Sequence, residues 1–185
     1  MSLRKALFKF LLASAAAVLA GCSTIDTNDK PSPDDAYIYG RFSVLITGSV
    51  FQLGAVGNAS LFVRCDSGQE VYISFREDKK VQLLKLKPSK CALAEMVFAN
   101  GIGATMDRRP TQIADVKLDL APGGTYYVGD WELFLSRQVW RGKVRSYMEW
   151  KVVDHYDATT QLVKKAFPLF SSIPTENLLH PSSAD

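Results

Sequence analysis

Apolar and polar residues alternate with a period of two through most of this chain after Ala36. In the clearest stretch, from Ala114 to Leu120, four apolar residues alternate with three charged ones. Successive side chains of a β-strand point to opposite faces, so this pattern predicts a strand with one buried face. The same reasoning predicts strands over residues 36–45, 61–65, 71–76, 114–120 and 144–153, and the aromatic and β-branched residues of 126–135 predict a further strand there.

Turn-forming residues separate these runs, which favours an antiparallel β-sandwich of about seven to nine strands. Glycine supplies the positive φ that tight turns need, and proline fixes φ at turn positions. The turn signals are Asp66-Ser67-Gly68, Asn100-Gly101, Pro122-Gly123-Gly124 and Arg141-Gly142.

One helix is predicted late in the chain, at about residues 157–167. Asp157 is a suitable N-cap, and Leu162, Val163 and Phe167 recur at helical spacing on one face. Pro168 follows directly and cannot continue a helix. We therefore expect a mainly β domain over residues 36–180 that carries one C-terminal helix.

The first 22 residues follow a different pattern. Basic residues between Arg4 and Lys9 precede an apolar run of 11 residues, 10–20, and the run ends in Leu19-Ala20-Gly21-Cys22. This order is that of an export signal. The run is shorter than the roughly 20 residues that a membrane-spanning helix needs. An ordinary cleaved signal in which Cys22 is incidental is the alternative interpretation.

The tetrapeptide that ends at Cys22 resembles the lipobox of bacterial lipoproteins. The resemblance implies a signal peptide over residues 1–21, cleavage after Gly21, and attachment of acyl chains such as palmitate to Cys22. The sorting rule of such proteins considers the next residue, and Ser23 implies the periplasmic face of the outer membrane. The inner membrane is the alternative location.

Residues 22–35 are predicted to form a flexible linker. Two prolines and four aspartates fall in this segment, and Ile25 is its one large apolar residue. Such a composition buries too little apolar surface to offset the cost of ordering the chain. The last residues, 181–185, are expected to be frayed.

Charge argues against nucleic-acid binding. Removal of residues 1–21 takes away three basic residues and no acid, which leaves 19 basic and 19 acidic residues in 164. Nucleic-acid-binding domains normally carry a basic excess on one face. The length fits one domain with a core of its own.

Cys65 and Cys91 remain if Cys22 is acylated, and an even number is typical of an exported protein. A disulfide between them is one interpretation. Two free thiols buried as small apolar side chains are the other.

Candidate chemical sites are few. His155 lies in Asp154-His155-Tyr156-Asp157, but zinc sites need three or four ligands, and a strand-to-helix turn with an aspartate cap is the better interpretation. Trp131 and Trp140 form a possible binding surface. Trp131 is flanked by two acids, Asp130 and Glu132, and an exposed tryptophan with acidic neighbours would suit a glycan. In the alternative interpretation Trp131 lies in the core and its acidic neighbours face water. We predict no catalytic residue, no metal site and no cofactor.

Two segments look related to one another. Residues 84–93 and 118–129 each run from an apolar strand through a proline turn into a second strand. This unit resembles small bacterial lipoproteins with a carboxypeptidase-regulatory-like, or transthyretin-like, sandwich. Ser89 and Cys91 depart from the pattern, which has glycine and an aromatic residue there. The resemblance implies no catalytic residue, and type VI secretion includes a lipoprotein of this fold.

Three classes of function follow. The first is a membrane-anchored structural or protein-interaction module of the cell envelope, with an envelope protein as its partner and no catalysis. The second is a periplasmic ligand- or glycan-binding lipoprotein. The third, an enzyme, would need His155 to meet an acid and a nucleophile across the fold.

Overall fold

The computed structural model describes residues 25–47, 59–99, 106–107, 116–141 and 143–179. Within these ranges the chain is mainly β, with two sheets and one α-helix, as the sequence predicts. The strands exceed the seven to nine expected. They are β1 (Ala36–Thr47), β2 (Ala59–Cys65), β3 (Glu70–Ser74), β4 (Val81–Leu86), β5 (Ser89–Ala99), β6 (Met106–Asp107), β7 (Lys117–Leu120), β8 (Thr125–Tyr127), β9 (Asp130–Trp140), β10 (Lys143–Val153) and β11 (Thr175–Asn177).

The first sheet is built around β1. Its strand order is β10-β9-β1-β8-β11, and β4 pairs with the other edge of β1. Residues 36–41 of β1 pair with β4, while the opposite edge pairs first with β8 and then, from Phe42 onward, with β9. The expectation of a purely antiparallel fold is wrong here, because β8 and β9 both run parallel to β1. Parallel neighbours need a long crossover, and the chain passes through the second sheet between β1 and β8.

The second sheet has the order β3-β2-β5-β6, with β7 also paired to β5, and its pairs are antiparallel. In β7 the apolar Leu118 and Leu120 are buried, whereas Lys117 and Asp119 are exposed. The period of two therefore predicted this strand correctly. Ala114 and Asp115, which belong to the same predicted run, lie outside the described residues.

Alternate residues of β1 face two different apolar clusters. Ala36 and Ile38 belong to a cluster that also contains Leu61 of β2 and Leu93 of β5, so it draws on both sheets. Tyr37 and Tyr39 point the other way, into a smaller cluster. We call this second set the helix-side cluster. Its buried members are Ile25, Tyr37, Tyr39, Leu83, Tyr127, Val163, Phe167 and Phe170.

The predicted strand over 126–135 is divided in two by Val128 and Gly129. Gly129 has a φ of 102°, a conformation that favours glycine. A Cβ on Gly40 of β1 would lie 2.2 Å from the carbonyl oxygen of Gly129. The two glycines therefore allow close backbone contact where β1 changes its partner from β8 to β9.

The helix, α1, spans Tyr156–Ala166, close to the predicted range. The predicted N-cap, Asp157, is wrong, because Asp157 lies in the first turn and His155 occupies the cap position without a side-chain cap bond. Instead the Asp154 carboxylate accepts the Tyr156 N–H at 2.9 Å. A 3-10 helix, Pro168–Phe170, follows α1 directly.

The described part of the predicted linker packs against the domain, which corrects the expectation of a flexible tether. Ile25 is buried in the helix-side cluster, and its N–H donates to the Leu83 carbonyl at 3.4 Å. The Ser32 N–H donates to the Tyr37 hydroxyl at 2.8 Å, and the Asp35 carbonyl accepts the Gly123 N–H at 2.7 Å. One well-placed apolar residue and these bonds are enough to fix a segment whose average composition predicted disorder. The predicted signal peptide, Cys22 and the predicted frayed tail lie outside the described residues.

Candidate functional site

The most concentrated group of polar side chains surrounds the carboxylate of Asp130, the first residue of β9. Asp130 is only 2% exposed. One carboxylate oxygen accepts the backbone N–H of Arg41 at 3.2 Å, and the other accepts the Arg41 Nε–H at 2.7 Å. The Arg41 Nη2 also donates to that second oxygen. The interpretation in which Asp130 faces water is therefore wrong.

The position of this group follows from the partner change of β1. On the edge of β1 that faces β8 and β9, pairing with β8 ends at Tyr39 and pairing with β9 begins at Phe42. Between the two registers the N–H of Arg41 has no strand partner along that edge. A buried N–H without an acceptor is costly, and Asp130 supplies the acceptor.

Residues of α1 and the turn before it complete the group. The Thr159 hydroxyl is fully buried and lies 2.9 Å and 3.1 Å from the two oxygens of Asp130. The His155 Nδ1 lies 3.2 Å from Asp130 and 3.1 Å from the Arg41 Nη2. The carboxylate thus ties the first turn of α1 to the centre of the first sheet.

Two buried tyrosines make further bonds between the sheet and the helix. The Tyr39 hydroxyl lies 2.6 Å from the Thr160 hydroxyl, and burial raises the pKa of Tyr39 to about 12. The Tyr127 hydroxyl donates to the Val153 carbonyl at 3.1 Å and accepts the His155 N–H at 3.0 Å. Burial also raises the pKa of Tyr127 well above its ordinary value. Both hydroxyls therefore stay neutral and hydrogen-bonded at physiological pH.

This arrangement holds elements of the fold together. The His155 ring does meet an acid, Asp130. The hydroxyl in the group, that of Thr159, gives its hydrogen to Asp130 and is buried, so it is not presented to a substrate. Both oxygens of Asp130 already accept hydrogen bonds from Arg41 and Thr159, so the carboxylate is occupied by donors of the protein itself.

The sequence predicted the turn before α1 but missed its partner. Asp130 and Arg41 are 89 residues apart in sequence, and Asp130 and His155 are 25 apart. The one available signal was an acid at the start of an otherwise apolar and aromatic run. Only the parallel register of β1 and β9 brings these side chains together.

Cys65 and Cys91 are joined by a disulfide. They are directly opposite one another in the β2–β5 pair. The bridge closes a sequence separation of 26 residues. A loop of that size contributes about 3.5 kcal/mol by restricting the unfolded chain.

The predicted aromatic binding surface is not formed by Trp131. This side chain is 1% exposed, stacks on Trp150 with ring centroids 5.7 Å apart, and donates its Nε1–H to the Val128 carbonyl at 2.9 Å. An aromatic residue at an inward-facing strand position joins the core, because burying its large apolar area stabilises the fold. Trp140 lies in β9, but its side chain is outside the described part of the structure.

The described ranges hold neither a metal-binding cluster nor a membrane-spanning helix. Among the described residues there is no group of three or more His, Cys, Asp or Glu side chains that could hold a metal ion. No helix in the same ranges has the length and apolar character needed to cross a bilayer. No protein-family model, curated protein or solved structure matches the chain.

Proposed function

We propose that this chain is a lipid-anchored lipoprotein whose β domain serves as a structural or protein-interaction module of the bacterial cell envelope. The observation that carries the proposal is the order of residues before the domain: basic residues, a short apolar run, and Leu19-Ala20-Gly21-Cys22. Cys22 would carry the acyl chains. An outer-membrane location on the periplasmic face follows from Ser23.

The disulfide supports an exported location. Disulfides persist in oxidising compartments such as the periplasm and are rare in the cytosol. The bridge joins Cys65 and Cys91, the other two cysteines of the chain, which leaves Cys22 for acylation.

The finer fold that we propose is a transthyretin-like sandwich. Support comes from the apolar cluster shared by the two sheets, which is the arrangement a sandwich requires. The two related segments give further support. Each crosses between the sheets at its proline turn, from β4 to β5 at Pro88 and from β7 to β8 at Pro122.

A role without catalysis is favoured by the bonding around Asp130. Its carboxylate and the Thr159 hydroxyl are engaged with one another and with Arg41, so the group stabilises the fold. The burial of Trp131 removes the main support for a glycan-binding role. The expected partner is another protein of the envelope.

The test of the anchor is a Cys22→Ala variant in cells. We expect the wild type in the membrane fraction, with an intact mass that corresponds to an acylated chain beginning at Cys22. The variant should leave the membrane fraction. A Cys65→Ala/Cys91→Ala double variant is the matched control, since it also removes cysteines and should stay membrane-bound. Membrane association of Cys22→Ala, or a wild-type mass without acyl chains, would overturn the proposal.

The location within the envelope has its own test. A Ser23→Asp variant should shift from the outer-membrane to the inner-membrane fraction of a density gradient in bacteria that use this sorting rule. An unchanged profile would contradict the proposed outer-membrane location without affecting the anchor.

A further inference from the structure

We propose that the surface formed by α1 and the 3-10 helix lies directly on the membrane, with Leu162 and Leu169 in contact with lipid. This inference rests on the proposed acylation of Cys22. It goes beyond that proposal because it specifies which face of the domain meets the bilayer and how closely.

The connection between the proposed anchor and the packed part of the chain is short. Ile25 is already buried against the domain, so only Ser23 and Thr24 separate Cys22 from a fixed point. The three Cα-to-Cα steps from Cys22 to Ile25 span about 10 Å when fully extended. The headgroup layer of one leaflet is about 5–8 Å thick. An acyl chain on Cys22 would therefore hold Ile25 within or immediately above the headgroups.

Ile25 identifies the face of the domain that lies nearest the anchor. It lies beside Leu83 of β4 and belongs to the helix-side cluster, together with Val163 of α1 and Phe170 of the 3-10 helix. The segment that follows also stays near this face. Ser32 bonds to Tyr37, whose ring lies 4.9 Å from that of Phe170. The face near the anchor is therefore the face that carries the two helices.

Most of the exposed large apolar side chains that the structure describes lie on this same face. Among the described residues the large apolar side chains that are exposed are Leu45, Leu162 and Leu169, at 51%, 42% and 44%. Leu162 and Leu169 directly precede the buried Val163 and Phe170. Leu45 lies six residues beyond Tyr39 along β1, about 20 Å away along the strand. Two of these three side chains thus belong to the anchored face.

The charge of this face is mixed. Lys164 and Lys165 lie in the last turn of α1, whereas Asp26 and Asp29 are exposed in the segment next to the anchor. Basic residues on a helix surface favour anionic headgroups, and the two acids oppose that attraction. The contact should therefore depend mainly on apolar burial and only weakly on salt.

The test uses the acylated protein in vesicles of phosphatidylethanolamine and phosphatidylglycerol. Leu162→Cys, Leu169→Cys and the control Leu45→Cys each introduce one reactive thiol, because the native cysteines are acylated or in the disulfide. An environment-sensitive fluorophore on that thiol is exposed to lipids that carry a nitroxide quencher. We expect the lipid quencher to reduce fluorescence at positions 162 and 169 and to leave fluorescence at position 45 unchanged.

A variant with a longer connection separates orientation from anchoring. A Gly-Ser insertion of about 15 residues between Thr24 and Ile25 gives a tether of about 20 Å. Quenching at positions 162 and 169 should then be lost, while the protein remains on the vesicles. Retained quenching in this variant would support the contact itself, held by apolar burial, and would overturn the role of the short connection in imposing it.

The remaining outcomes are also decisive. An acylated, vesicle-bound protein without quenching at positions 162 and 169 would overturn the membrane contact and leave the anchor intact, as expected if a protein partner covers this face. Equal quenching at all three positions would also overturn it. A protein without acyl chains would overturn the anchor and, with it, the contact.

Discussion

The carboxylate of Asp130 binds both the guanidinium and the backbone N–H of Arg41, at the residue where the central strand β1 changes partners. This one buried side chain therefore completes the hydrogen bonding of β1 in the gap between its pairing with β8 and its pairing with β9. The same carboxylate accepts the Thr159 hydroxyl of α1. Asp130 therefore links the first sheet directly to the first turn of α1.

Asp130→Asn should lower the free energy of unfolding by about 3 kcal/mol. This value is near the lower limit for breaking a buried ion pair, because the Arg41 side chain is partly exposed. An amide cannot accept all the donors that surround the carboxylate. Glu132→Gln on the same strand is the matched control. Its partner Lys151 is exposed, so the loss should stay below about 1 kcal/mol. Urea unfolding measures both, and equal losses would contradict the role of Asp130.

Gly40→Ala should destabilise the protein by about 3 kcal/mol or more, since the new methyl group would meet the rigid carbonyl of Gly129. Gly68→Ala is the comparison. Gly68 has a φ of 79° and nothing within 4 Å of a new Cβ, so it should lose only about 1–2 kcal/mol for the left-handed conformation. Thermal or urea unfolding of both variants tests the close contact between Gly40 and Gly129. A smaller loss of stability in Gly40→Ala than in Gly68→Ala would refute it.

Stability should fall in alkali because two tyrosine hydroxyls are buried. Their pKa values are raised in the folded state, so the folded state holds these protons more tightly than the unfolded chain. Their contribution is fully present below about pH 10, the pKa of an unfolded tyrosine. For Tyr39 it is lost as the pH rises from there through about 12.

Tyr39→Phe removes one of these groups and provides the test. It should cost about 1 kcal/mol at neutral pH through the lost bond to Thr160. It should also make the decline above pH 10 less steep. Asp35 raises the pKa of Lys85, which adds a decline of the same sign, so only the difference between variant and wild type reports on Tyr39. Parallel profiles of unfolding free energy against pH would contradict the assignment.

Loss of the disulfide should reduce the free energy of unfolding by about 3.5 kcal/mol. The Cys65→Ala/Cys91→Ala variant should show this loss in urea, and its unfolding midpoint should not respond to reductant. The wild type should be destabilised by reductant to a similar level. A wild-type midpoint that is the same with and without reductant would argue against the bridge in the isolated protein.

Local patterns predicted the individual strands well and their partners poorly. The alternation in β7 and the start and end of α1 depend on neighbouring residues, so they can be read from a short window. The parallel pairing of β1 with β8 and β9 depends on residues far apart in sequence, and period two carries no information about strand direction.

The polar group around Asp130 was not predictable for the same reason. An acid next to Trp131 is consistent with a solvent-facing position, and only the register that places Arg41 beside it makes burial favourable. The packing of residues 25–35 was missed because composition averages over the segment. A single side chain, Ile25, fits the apolar cluster and outweighs the polar residues around it.

The burial of Ile25 determines where a soluble version of this protein can begin. Truncation at Ala36, the boundary that strand patterns suggest, would uncover Leu83 and remove the Ser32 donor from Tyr37. Such a fragment would expose apolar surface in solution and tend to aggregate. A fragment that begins at Ser23 keeps that surface covered and is the better choice for crystallisation or for screening binding partners.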